Sequence, residues 1–357
     1  MKSLSTSLIL LAATLTALAH AQQTPGTSLL ALSKRDHTLA IVDPSTLKVI
    51  AKAPVGTDPH EVIASTDGKT AYVSIYGNNN TISVIDLIAQ KPLPTIDLGP
   101  LRSPHGLDFV GGKLWFTAEA AKAIGSYDPA SSKVDWILGT GQNRTHMVAV
   151  SPDLKTIVTT NVASGTVSII EKTAAHFGGL PPGAPNGPPQ GAPPRGGMSG
   201  PPLGPPGFDW NETVVKVGSG SEGFDITPDR KEIWVANAGD GTISIIDFAS
   251  KQVTQTLAAN VPSANRLKFT PDGKLALVSM LRGGDVAVID TSSRETVRRI
   301  PVGHGSAGIL MQPDGSRAFV ACTPDNYIAV IDLRSLQVVA HIESGPEPDG
   351  LAWAVRQ

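Results

Sequence analysis

Short runs of alternating apolar and polar residues recur along most of the chain, each closed by Gly, Asn or Asp. One run has a recognisable ending: TLAIVD closes at Asp43, TISVID at Asp86, AIGSYD at Asp128, TVSIIE at Glu171, TISIID at Asp247, DVAVID at Asp290 and YIAVID at Asp332. The spacings are 43, 42, 43, 76, 43 and 42 residues, so seven copies share one period with a single interruption. Self-similarity at this period marks a repeat architecture. Within a unit, a segment such as Pro59–Thr66 leads to a Thr-Asp or Pro-Asp turn at Asp67, Asp153, Asp229, Asp272 or Asp314. A second alternation follows, then the VID run, then a last alternating stretch. Period-2 alternation between tight turns predicts β-strands, four to a unit and antiparallel. One such sheet cannot bury both faces, but seven packed radially can. The expectation is an all-β, seven-bladed β-propeller over residues 22–357.

The ends predict ring closure. The first unit starts mid-repeat at Ser28–Ser33 and lacks its innermost strand, while Pro348-Asp349-Gly350-Leu351 repeats the pattern of Pro104-His105-Gly106-Leu107. One blade is therefore expected to be closed by both termini, leaving no open sheet edge at the seam.

These units resemble those of the YVTN-type, or YncE-like, seven-bladed propellers, in their Pro-Asp-Gly-Lys turns and Ile-Asp strand endings, with segments such as Trp234-Val235-Ala236-Asn237 approximating the name-giving tetrapeptide. The unit at Pro104–Glu119 is instead similar to the blades of streptogramin-lyase-like propellers. The resemblance implies the fold strongly and an activity weakly, because propellers carry many functions.

Two segments stand outside the repeat. Lys2, the apolar run Leu8–Leu18 and Ala19-His20-Ala21 have the layout of a signal peptide over residues 1–21, which predicts an exported, periplasmic or extracellular protein. Between Glu171 and Asp229 the chain is longer than in other units, and 11 of the 28 residues in Leu180–Gly207 are Pro and 8 are Gly. This composition cannot pack a core, and it lacks the third-position glycine of collagen. It predicts a Pro/Gly-rich insertion over 174–210 in the fourth blade, either a tolerated loop or a docking segment.

Charge and cysteine use narrow the chemistry. With 29 Lys+Arg against 31 Asp+Glu and no basic cluster, a nucleic-acid partner is not expected. Cys322 is the single cysteine, so disulfides within the chain, CxxC metal sites and covalent c-type haem are excluded. Gly218–Gly223 and Gly303–Gly308 match GxGxxG, but both lead into a strand rather than a helix, and a nucleotide cofactor is not indicated. Nor is a quinone, since the repeated tryptophan motifs of quinone propellers are missing. No later run is long enough for a transmembrane helix, and a monomer is expected.

One constellation carries chemistry. Seven residues before each turn aspartate stand His60, His146, Glu222, Asn265 and Ala307, and alignment of the Pro-x-Gly starts adds His105 and Asp349. Around the ring the order is Asp349, His60, His105, His146, Glu222, Asn265, Ala307. Five of these, His60, His105, His146, Glu222 and Asp349, are ligand-type residues suited to a divalent transition metal. Arg144, Arg266, Asn265, Glu119 and His304 are expected near the same mouth as ligand-binding groups. Asn161, Asn237 and Arg282 lie in loops or strand ends on that side. Three functions stay open. The first is binding of a metal ion or small ligand at the His-rich mouth. The second, implied by similarity to lactonase-family and lyase propellers, is metal-dependent opening of a lactone or ester, with His105, His146 and Glu222 as catalytic groups. The third is an envelope-protein scaffold using the insertion.

Overall fold

The computed structural model describes residues 23–174 and 208–356, and both the leader segment and most of the Pro/Gly-rich insertion lie outside them. Within the described residues there is no helix, and 28 strands form seven four-stranded antiparallel sheets. The propeller and its seven blades are as the repeat predicts. The expected seam is also present: the C-terminal strand Pro348–Val355 pairs with Thr27–Ser33 and completes blade 1 as its innermost strand. The inner strands of blades 2 to 7 are Pro59–Ala64, Pro104–Val110, Thr145–Val150, Ser221–Ile226, Ala264–Phe269 and Ser306–Met311.

The period-2 pattern explains the packing. The third strand of most blades reads as four buried residues between half-buried ends, as in Thr38–Asp43 and Thr81–Asp86. Such strands are covered on both faces, because each blade packs against two neighbours. The apolar clusters accordingly span adjacent blades, one joining Trp234 and Ile245 of blade 5 to Leu267 and Val278 of blade 6. Each third-strand aspartate then turns the chain, as when Asp43 accepts the backbone N–H of Ser45 (2.8 Å) and Asp332 that of Ser335 (2.7 Å). In blade 4 the third and fourth strands, Thr166–Ala174 and Phe208–Lys216, run nine residues each and carry the insertion between them. Strand alternation puts the ends of these two strands, Ala174 and Phe208, on the face opposite the His-rich mouth. Among the described residues no helix is long and apolar enough to cross a membrane.

Candidate functional site

Three repeated positions shape the mouth. The first is a β-bulge in every inner strand, which frees residues 60–61, 105–106, 146–147, 222–223, 265–266, 307–308 and 349–350 from the ladder. A bulge re-aims side chains, and here it turns the first residue of each pair toward the channel. Two residues earlier, every blade has a left-handed backbone: Asp58, Ser103, Arg144, Gly220, Ser263, Gly305 and Glu347, with φ between 53° and 70°. This conformation therefore belongs to the repeat and is not peculiar to Arg144. The third position directly follows the second strand and holds Lys34, Tyr76, Glu119, Val162, Ala238, Leu281 and Thr323.

The bulges are held by hydroxyls. The N–H of Gly106 donates to Thr117 Oγ1 (2.9 Å), which donates on to the carbonyl of His146 in the next blade (2.6 Å). Thr160 links Met147 N (3.3 Å) to the carbonyl of Glu222 (2.7 Å), and Ser279 links Arg266 N (3.0 Å) to that of Ala307 (2.6 Å). Each buried hydroxyl satisfies one donor and one acceptor that the bulge took from the ladder. Glycine at the second bulge position lets inner strands approach: a Cβ on Gly106 would lie 2.7 Å from Met147 Cα, and one on Gly223 2.7 Å from Arg266 Cα. Two of the exceptions to that glycine, Glu61 and Arg266, form a buried ion pair reaching from blade 2 to blade 6. The pair reaches across the ring, and its Arg266 lines the cavity at the mouth.

At the mouth, the expected ring residues fall into two groups. In one, His146 lies between two carboxylates. Its Nδ1 bonds Glu119, and its Nε2 stands 2.6 Å from Glu222 Oε2 as an ion pair off the line of a hydrogen bond. Burial disfavours the imidazolium, but Glu222 and Glu119 outweigh burial and raise its pKa above the ordinary histidine value. Burial likewise pushes Glu222 up, and His146 with Arg266 and Arg144 more than reverses this, to about 2. Glu119 is held low in the same way, against its burial, by His146, Tyr76 and Arg144. The Tyr76 hydroxyl donates to Glu119 (2.5 Å), and burial together with that carboxylate pushes its pKa to about 12. Arg144 stands farther off, with Nε 3.4 Å from Glu119 and Nη2 3.9 Å from Glu222. His105 stacks on His146, ring centroids 3.8 Å apart. Burial and the neighbouring positive groups, His146 first among them, hold its pKa well below the usual histidine value.

In the second group, Lys34 Nζ lies 2.8 Å from His60 Nε2, 3.4 Å from Asp349 Oδ2 and 3.6 Å from Asp58 Oδ1. With Lys34 donating, Nε2 of His60 is the acceptor and its proton sits on Nδ1, toward Asp58. The two groups border one cavity of about 320 Å³. Its wall includes His60, His105, Arg144, His146, Glu222, Asn265, Arg266 and Asp349, as the sequence predicts. Glu119 stands behind it.

The structure redraws the site in four respects. His304 is not part of the cavity wall, because its exposed ring turns to Asp325 (3.2 Å). The buried Asn161 and Asn237 brace strand ends, donating to Ser168 and Ser244, and Arg282 is outside the cavity. Lys34 and Tyr76, which sequence reasoning missed, line it; both follow a second strand, the position that also yields Glu119. The five residues expected as metal ligands do not meet at one point. Among the described residues no three His, Cys, Asp or Glu side chains converge closely enough to hold a metal ion, and both nitrogens of His146 already face carboxylates.

Fold and mouth together define a seven-bladed propeller with a polar cavity at one mouth of its channel. A family model described as a YNCE-like beta-propeller matches residues 209–317. With the seven-bladed ring, this match supports the resemblance to YncE-like propellers that the repeats carry. Among curated proteins, no relative matches the sequence. Solved structures show the same fold at low identity. A functionally unknown protein from Desulfotomaculum acetoxidans aligns with a TM-score of 0.70 at 13% identity, over 92% of this chain and 99% of that one. A protein from Bacteroides uniformis titled "putative 6-phosphogluconolactonase" gives 0.70 at 14%, over 92% and 99%. Dihydro-heme d1 dehydrogenase NirN gives 0.59 at 14%, over 91% and 74%.

Proposed function

We propose that this YncE-like propeller binds a small polar ligand in the His-rich mouth of its channel. The observation that carries the reading is the cavity of about 320 Å³ whose wall brings Lys34, His60, Arg144, Arg266 and Asp349 together. A concave site with a few convergent polar groups is the usual form of a small-molecule pocket. A molecule rather than a metal ion is favoured because the candidate ligands are engaged with one another. The N-terminal address supports export, so the ligand is one met outside the cytoplasm. The test is ligand-observed NMR with a library of small acids, amines, sugars and neutral fragments. Binders should compete with one another and lose their signal in the Arg144→Ala and His60→Ala variants. Binders indifferent to both substitutions would contradict the reading.

One observation favours a second reading, hydrolysis of a lactone or ester. His105 borders the cavity with its ring against that of His146, and an imidazole in that place can take a proton from an attacking water. Turnover of lactone or ester substrates that vanishes in His105→Gln while fragment binding persists would support it; no turnover across the panel would remove it.

A further inference from the structure

We infer that the ligand is a small organic acid with an apolar body, its anionic group on Arg144 and its body against Leu281, Ala307 and Pro324. The inference rests on the binding reading above and names the class of molecule.

The mouth is two-sided. Blades 1 to 5 contribute Lys34, Asp349, His60, Tyr76, His105, Arg144, His146 and Glu222, whereas blades 6 and 7 contribute Leu281, Gly305, Ala307 and Pro324 beside Asn265, Thr323 and the Arg266 that Glu61 pairs. In a seven-fold ring, blade 4 faces the seam between blades 7 and 1. Arg144 therefore stands across the mouth from Ala307 and Pro324. Leu281 is 46% exposed although it borders charged groups, and a large apolar side chain held open in a cavity wall fits an apolar portion of a ligand.

Unused hydrogen-bonding capacity, not the sum of charges, selects the sign of the polar portion. The wall carries two carboxylates, Glu222 and Asp349, and each already faces a cation: Glu222 faces His146, and Asp349 faces Lys34. Behind the wall, Glu61 is taken by Arg266, Glu119 by His146 and Tyr76, and Asp58 stands near Lys34. Arg144 is the cation whose bonding capacity is least used. Its two acidic contacts are long, 3.4 and 3.9 Å, and Nη1 has no acidic partner among the described residues. Its side chain is 44% exposed. A guanidinium fork presents five donors in a plane and binds a carboxylate bidentately. The space is at the small end of ligand pockets, which run from roughly 300 to 1,000 Å³. That limits the ligand to a short-chain or single-ring acid.

Isothermal titration with four probes tests the inference on the full propeller: hexanoate, hexylammonium, hexanol and succinate. Hexanoate is expected to bind most tightly. Arg144→Ala should weaken hexanoate by about tenfold, the loss of one charge-assisted contact worth roughly 1.4 kcal/mol, and leave hexanol unchanged, while Leu281→Ser should weaken both. Melting curves of the two variants, altered only at part-exposed side chains, verify the fold. Hexylammonium or succinate binding as well as hexanoate, or hexanoate binding unaffected by Arg144→Ala, would overturn the inference. If no probe binds but the NMR library yields Arg144-dependent binders, the class is wrong and the binding reading stands. If neither binds, both fall.

Discussion

Arg266 and Glu61 are 205 residues apart in the chain and meet as a buried ion pair at the mouth of the channel. Both occupy the bulge position that is glycine in four of the seven blades, Gly106, Gly223, Gly308 and Gly350. Removing one partner leaves an uncompensated buried charge, a loss of about 3–5 kcal/mol. Glu61→Gln should therefore lower the denaturant midpoint markedly, whereas Glu61→Leu combined with Arg266→Leu should fall closer to wild type. A single substitution without cost would show that the pair does not stabilise the propeller.

The clamp on His146 makes stability depend on pH from both sides. Glu222 has its pKa lowered from 4.5 to about 2, so its contribution is present above pH 4.5 and is lost as pH falls toward 2. His146 has its pKa raised above 6.5, so its contribution is complete below pH 6.5 and is lost as pH rises through the raised value. Thermal melts across pH should show an acid limb that His146→Leu shifts to higher pH, because Glu119 and Glu222 then lose their counter-charge. An unchanged acid limb in that variant would mean that the clamp does not stabilise the charged pair.

Thr160 offers a test of the hydroxyl bridges. Thr160→Val keeps the shape and removes the group that serves both Met147 N and the carbonyl of Glu222. Leaving those buried groups unpaired should cost about 1–3 kcal/mol, measured by equilibrium unfolding. A loss well below that range would show the bulge to be held by other contacts.

Glycine at the bulge is a packing requirement, not a loop preference. Gly223→Ala would drive a Cβ into the backbone of Asn265 and Arg266, and overpacking of that kind costs about 1–3 kcal/mol. Gly139, in an outer strand with nothing within 4 Å of an added Cβ, is the control. Gly139→Ala should leave the melting temperature within a degree or two of wild type, at about ±0.5 kcal/mol. Equal effects at the two sites would refute the distinction.

The fold could be read from the sequence because the repeat states it seven times: alternation, turn aspartates and a missing first strand supplied by Pro348–Val355. The inner ring was legible for the same reason, since His60, His105, His146 and Glu222 occupy one phase of the repeat. Lys34 and Tyr76 were hidden because the position after the second strand varies in character, running from Lys34 to Val162 to Leu281. Pairings such as Arg266 with Glu61 cross the ring, and no local pattern encodes which blades face each other. His304 misled because its neighbour Asp325, supplied by a different loop, draws it out to solvent.

The most direct test of the central claim is a crystallographic fragment screen of the propeller, soaked with mixed small acids, amines and neutral polar compounds. Bound fragments are expected to gather in the mouth, in contact with Arg144 or His60. A mouth that stays free of fragments while other surface grooves fill would contradict it.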